Sequence, residues 1–219
     1  MRSHRPIWIL SCLLALYAQA GWAYQAEPGD RARAERFLEL SGGRSVWQEG
    51  RSIRLLAVNH VEGIPLPFLF EIWIDFAQPR SMNRILNQDM DRLRAYLGDS
   101  GWGMKEGAFA RNLWRLAIDD PSLELRTGAN GRLEFHNIDG DMTAWFQFGE
   151  SGHAERFGLP GDDIGLELYA YADFGSVRIP SGGRTPDGVR FESIYVRLNP
   201  RALDLPSAPP AAPDAFNPR

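Results

Sequence analysis

Only one cysteine, Cys12, occurs in 219 residues, and it lies within the first 23. The chain beyond it can form no disulfide and no thiolate metal site, so an exported domain made from it must be held by its core alone. Lysine is almost as scarce, with Lys105 the only one, and the remaining basic residues are scattered arginines. A net charge of −4 with no basic cluster excludes the electrostatic footprint of a nucleic-acid partner. Several catalytic signatures are also missing: there is no His-Glu-x-x-His helix, no Gly-x-x-x-x-Gly-Lys phosphate loop and no Gly-x-Ser-x-Gly elbow. No cofactor is called for.

What is present begins with residues 1–23, MRSHRPIWILSCLLALYAQAGWA. Arg2 and Arg5 precede an apolar run from Ile7 to Ala18, and small residues follow before Tyr24, which is the build of a cleavable secretory signal peptide. The run is too short to cross a bilayer core of roughly 30 Å, so removal rather than anchoring is expected, with a periplasmic destination and no transmembrane segment in the mature chain. Loss of the two arginines takes the net charge from −4 to −6. Residues 24–206 then read as one domain, and residues 207–219, rich in Pro and Ala, as a disordered tail.

Asp30 is a plausible N-cap for a helix through Leu40, which Ser41-Gly42-Gly43 would stop, and a second short helix is expected over 45–49. From Ile53 the hydrophobic period becomes two. Strands are expected over 53–61, 68–76, 82–87, 92–97, 102–105, 123–127, 132–138, 143–148, 154–157, 166–172, 176–179 and 189–198, with turn residues in nearly every gap. In the second of these, Phe68, Phe70, Ile72, Ile74 and Phe76 share one face, while the other carries Leu69, Glu71, Trp73 and Asp75. One segment breaks the rhythm: Ala108 to Ile118 places Phe109, Leu113, Leu116 and Ala117 at helical spacing, with Trp114 widening the stripe. The fold class is therefore α+β, mainly antiparallel β, with about ten to twelve short strands.

Gly98-Asp99-Ser100-Gly101 spells the nucleophile tetrapeptide of chymotrypsin-like proteases, and His60 and Asp75 precede it in the matching order. A nucleophile reading nevertheless lacks its scaffold, because fewer than 80 residues separate Ser100 from the expected cleavage site, too few for a first barrel and half of a second. Gly, Asp and Ser are also the residues that tolerate tight-turn dihedrals, so a hairpin turn is the reading adopted. His136, His153, Asp139-Gly140-Asp141 and Asp162-Asp163 lack metal-ligand spacing and are read as strand and turn residues. The chain is not expected to be an enzyme.

Three stretches carry a resemblance: Leu40 to Gly43 with Trp47; Asp75-Phe76-Ala77-Gln78-Pro79-Arg80-Ser81-Met82-Asn83-Arg84; and Tyr96-Leu97-Gly98-Asp99-Ser100-Gly101-Trp102. With Phe174 to Pro180, Ile194 to Pro200 and Leu203 to Pro206, this order resembles the periplasmic outer-membrane lipoprotein-sorting proteins, the LolA/LolB-like superfamily, over most of residues 30–206. The resemblance implies an unclosed β half-barrel whose helices cover an apolar cavity for acyl chains. It implies a lipid, an acyl chain or a lipoprotein as partner. In the lipoprotein carrier an Arg before the strand-opening Pro helps hold the lid, and here Gln78 stands in that place.

The candidate ligand-binding residues are Phe68, Phe70, Ile72, Ile74, Phe109, Leu113, Trp114, Leu133, Phe135, Phe146 and Phe148. If the sheet closes on itself, the same residues are simply core. An alternative function is an envelope interaction or sensory module that binds a partner protein or glycan, which exposed Trp73, Trp102 and Trp145 on an outer sheet face would favour.

Overall fold

The computed structural model describes residues 24–77, 80–85, 102–104 and 108–200, with backbone alone at 80, 82–84 and 102–104. The leader, Gln78-Pro79, the strand expected over 92–97, the Ser100 turn and the tail lie outside these residues.

After a two-residue strand, β1 (Gln25–Ala26), the chain enters helix α1 (Pro28–Leu40) and then the short helix α2 (Arg44–Gln48). Asp30 is not the cap of α1. The helix opens two residues earlier at Pro28, whose missing N–H and fixed φ suit a first helical position. Asp30 instead accepts from Arg33 at 2.5 Å and from Thr127 at 2.7 Å, tying α1 to the sheet. Burial alone would raise its carboxyl, but these hydrogen bonds outweigh that and hold it below the usual range.

The α1–α2 turn is fixed by contact with the sheet. Gly42 has φ +118°, and a Cβ there would lie 2.4 Å from the Ser176 carbonyl oxygen, while the neighbouring Ser41 carbonyl accepts the Arg178 N–H at 3.1 Å. Only glycine meets both demands.

Four strands follow: β2 (Ser52–His60), β3 (Phe68–Asp75), β4 (Arg80–Ile85) and β5 (Trp102–Met104). Helix α3 (Phe109–Ala117) interrupts. Seven more strands then run as hairpins: β6 (Glu124–Thr127), β7 (Leu133–His136), β8 (Met142–Phe148), β9 (Ala154–Gly158), β10 (Leu166–Phe174), β11 (Val177–Arg184) and β12 (Arg190–Leu198). The expected end of β11 at Ile179 was too early, because Gly182-Gly183 is strand and not turn. A Cβ on Gly183 would meet the Phe191 ring at 2.3 Å and the Glu167 carbonyl at 2.4 Å, so glycine is required by close packing across the sheet.

Among the described residues the twelve strands make one sheet, in the order β1-β6-β7-β8-β9-β10-β11-β12-β2-β3-β4-β5. All neighbours are antiparallel except β1 beside β6. The end strands β1 and β5 do not pair, so the sheet is an unclosed half-barrel. Two meanders, β2 to β5 and β6 to β12, are joined by the pairing of β12 with β2, which runs from Arg190↔His60 to Leu198↔Ile53.

The helices cover one part of the inner face. Arg44 of α2 donates to the carbonyls of Leu116 and Ala117 at 3.0 and 2.9 Å, capping α3 at its negative end, and pairs with Glu35 and Asp119. Buried Arg115 of α3 pairs at 2.7 Å with Asp120, just past the helix, and Asp120 also accepts from the Ser122 hydroxyl. Burial would raise the Asp120 carboxyl, but the Arg115 and Ser122 hydrogen bonds prevail and lower it.

Two stability predictions follow from these anchors. Gly42→Ala should cost at least about 2 kcal/mol, read as a drop in Tm by calorimetry, because it meets both a forbidden φ and a backbone oxygen. Asp120→Asn should cost about 2 kcal/mol in urea unfolding at pH 7. Since the folded carboxyl is depressed, its contribution is present above the ordinary value of 3.8 and lost as pH falls through the folded value. The wild-type and Asn curves should therefore converge in strong acid.

Candidate functional site

The inner side chains of β2 and β3 lie in register: Ile53 opposite Ile74, Leu55 opposite Ile72, Ala57 opposite Phe70. On the other side of β2, β12 places Ser193 opposite Ala57 and Phe191 opposite Asn59. These residues form a wall, which β10 and β11 continue with Leu166, Leu168, Ile179 and Pro180. Phe109 and Ala110 of α3 border the space, and Leu159 and Asp162 enter from the β9–β10 turn. The result is an open cavity of about 480 Å³, within the ~300–1,000 Å³ typical of small-molecule sites.

The cavity exists because the inner face is filled unevenly. Under α1 and α3, Phe146 is surrounded by Phe135, Phe37, Phe157 and Phe109 at centroid distances of 4.9, 5.1, 5.1 and 5.6 Å. Edge-on and tilted rings fill that half of the sheet. The β12-β2-β3 half carries mostly Ile and Leu with Phe70, Phe191 and the short Ala57, and the space between them is open.

Of the eleven candidate residues, Phe70, Ile72, Ile74 and Phe109 line the cavity. The others lie elsewhere. Leu113, Leu133, Phe135 and Phe146 are wholly buried in the core, and Phe148 packs on Phe37 at 5.2 Å. Phe68 is buried edge-on against Phe70, and Trp114 stacks on Phe76 at 6.0 Å. Leu55, Ala57, Phe191 and Ser193 were not singled out in the sequence: Leu55 and Ala57 face Ile72 and Phe70 across the β2–β3 ladder, and Phe191 and Ser193 join that face only through the β12–β2 ladder.

The two faces of β3 differ in an unexpected direction. Its apolar inner side chains Phe70, Ile72 and Ile74 are only partly buried, whereas Glu71 and Trp73 on the mixed face are 0% and 1% exposed. Arg54 explains part of this, reaching Glu71 at 2.6 Å and lying 5.0 Å over the Trp73 ring. Trp145 is likewise 2% exposed, with its indole N–H donated to the Asp162 carbonyl at 2.8 Å. Neither tryptophan provides the exposed aromatic surface expected of a partner or glycan platform, and the Trp102 side chain lies outside the described residues.

Charge is sparse in the cavity. Asp162 is the one ionisable residue among the described lining, and its Oδ1 already accepts from the N–H groups of Ile164 and Gly165 at 3.1 and 2.8 Å. Three buried polar residues also line the wall: Asn59, Ser81 and Ser193. His60 and Asp75 occupy opposite ends of the β2–β3 ladder, Asp75 opposite Ser52 and His60 eight residues further on. That is roughly 27 Å at ~3.4 Å per residue, far beyond hydrogen-bond reach. Among the described residues no three His, Cys, Asp or Glu side chains cluster as a metal site would require. None of the described helices is long and apolar enough to cross a membrane.

No family model matches the chain, and no curated protein does. Among solved structures, it is similar to a DUF1329 family protein from Desulfovibrio piger, at 8% identity over 77% of this chain and 92% of that one, with a TM-score of 0.37.

Truncation separates wall from core. Phe135→Ala should cost ~3–5 kcal/mol, as a fully packed ring does, whereas Ile72→Ala should cost about 1 kcal/mol, below the ~2–5 of a packed Ile. Chemical denaturation of the two variants measures the contrast.

Proposed function

We propose that this chain is a non-enzymatic periplasmic binding or carrier protein that takes an acyl chain into the cavity beneath β2, β3 and β12. The observation that carries the reading is the cavity itself: about 480 Å³ on the inner face of an open sheet, walled by Ile, Leu and Phe side chains. Transfer of each acyl methylene from water into such a wall is favourable by ~0.8 kcal/mol, and the binding needs no charged group. The export-type leader supports the compartment. The resemblance to lipoprotein-sorting proteins supports a lipid or lipoprotein cargo and a role in outer-membrane lipoprotein transport.

Native mass spectrometry of protein purified from its own periplasm should show co-purifying lipid. Ala57→Phe, which adds a ring on the cavity wall, should remove that lipid. Lipid-free native protein, or lipid retained in full by Ala57→Phe, would count against the cavity as the binding site.

A further inference from the structure

We infer that the cavity receives its acyl chain as a neutral ester, with the ester carbonyl held by Ser193 and Asn59. This deepens the acyl-binding reading above and rests on it. Ser193 stands opposite Ala57, and Asn59 lies two residues further along β2, so the two are diagonal neighbours on the inner face, about 7 Å apart. Each is only 6% exposed, and both line the cavity. Among the described residues the Ser193 hydroxyl is buried with no hydrogen-bond partner, and the Asn59 side chain stands on the same wall.

A buried hydroxyl left unpaired is costly, and one on the wall of an apolar cavity gains a partner when an acceptor enters and the wall adjusts to it. An ester carbonyl is an acceptor with two lone pairs, and a serine O–H and an asparagine N–H are the donors that match it. From that point the inner face continues through Phe70, Ile72, Ile74 and Ile53. The six residue steps from Asn59 to Ile53 give roughly 20 Å of wall at ~3.4 Å per residue. Ser81, whose hydroxyl is also buried and unpartnered among the described residues, lies opposite Ile74 at the far end, without a second polar side chain beside it in the described lining.

The charge of the described lining residues selects against a free fatty acid. No cation is among the described lining residues, and Asp162 adds a negative charge. A carboxylate placed at Ser193 would lose its water and gain no counter-ion, while an ester loses far less.

The test compares myristate with methyl myristate, each displacing Nile red from the full-length mature protein at pH 8. The ester should bind at least about tenfold more tightly. Ser193→Ala and Asn59→Leu should each weaken the ester about tenfold and leave myristate nearly unchanged. Equal affinity of the two ligands in the wild type, or ester binding indifferent to both substitutions, overturns the ester grip while leaving acyl binding intact. Failure of both ligands to displace the dye overturns acyl binding as well.

Discussion

The pairing of β12 with β2 is the constraint from which the rest of the architecture follows. Each meander by itself is a run of short hairpins with one apolar face and no opposite wall. Joined along Arg190↔His60 to Leu198↔Ile53, they become one sheet long enough to curve around its own inner side chains. A break in this ladder would expose two strand edges in the middle of the sheet and separate Phe191 and Ser193 from Phe70 and Ile72, so fold and cavity depend on the same backbone hydrogen bonds.

Helix α3 decides where the curved sheet is full and where it is open. Phe109 packs on Phe37 and Phe146 from one side and borders the cavity from the other. Its position is set at both ends: Arg44 holds the last carbonyls of α3, and Arg111 donates to the Phe76 carbonyl just past β3. Because α3 is tied to α2 at one end and to β3 at the other, the boundary between packed core and cavity is held by charged hydrogen bonds rather than by apolar contact alone. Such anchors fix a register that interchangeable hydrophobic contacts would leave loose.

Most of the elements were legible in the sequence because their signals are local. The period-two runs at Ile53 and Phe68 and the amphipathic stretch from Ala108 place β2, β3 and α3 within a residue or two of their observed bounds. Legibility failed where a tertiary contact overrode the local signal. Gly182-Gly183 resembles a turn in sequence, but Phe191 crosses it; Asp30 looks like a helix cap, but Thr127, nearly a hundred residues away, claims its carboxylate. The same limit applies to the site. The apolar face of β3 was visible, and three of its residues line the cavity, yet the pattern held no information on whether the space opposite Leu133 and Phe146 was filled. Cavity and core look alike in sequence, since both require apolar residues at the same period.

The burial of Glu71 and Trp73 bears on how such a cavity can persist in a protein with no disulfides. A strand whose inner face meets open space forfeits dispersion contacts there. On β3 the outer face compensates: Trp73 is fully covered, Arg54 lies against its ring, and Glu71 accepts that same guanidinium. The inner face is thereby relieved of holding the strand in place, and Phe70, Ile72 and Ile74 can stay partly unpacked without loosening the ladder on either side. In this arrangement the usual roles of the two faces are reversed, with the charged and indole groups providing the packing and the apolar groups bordering the vacancy.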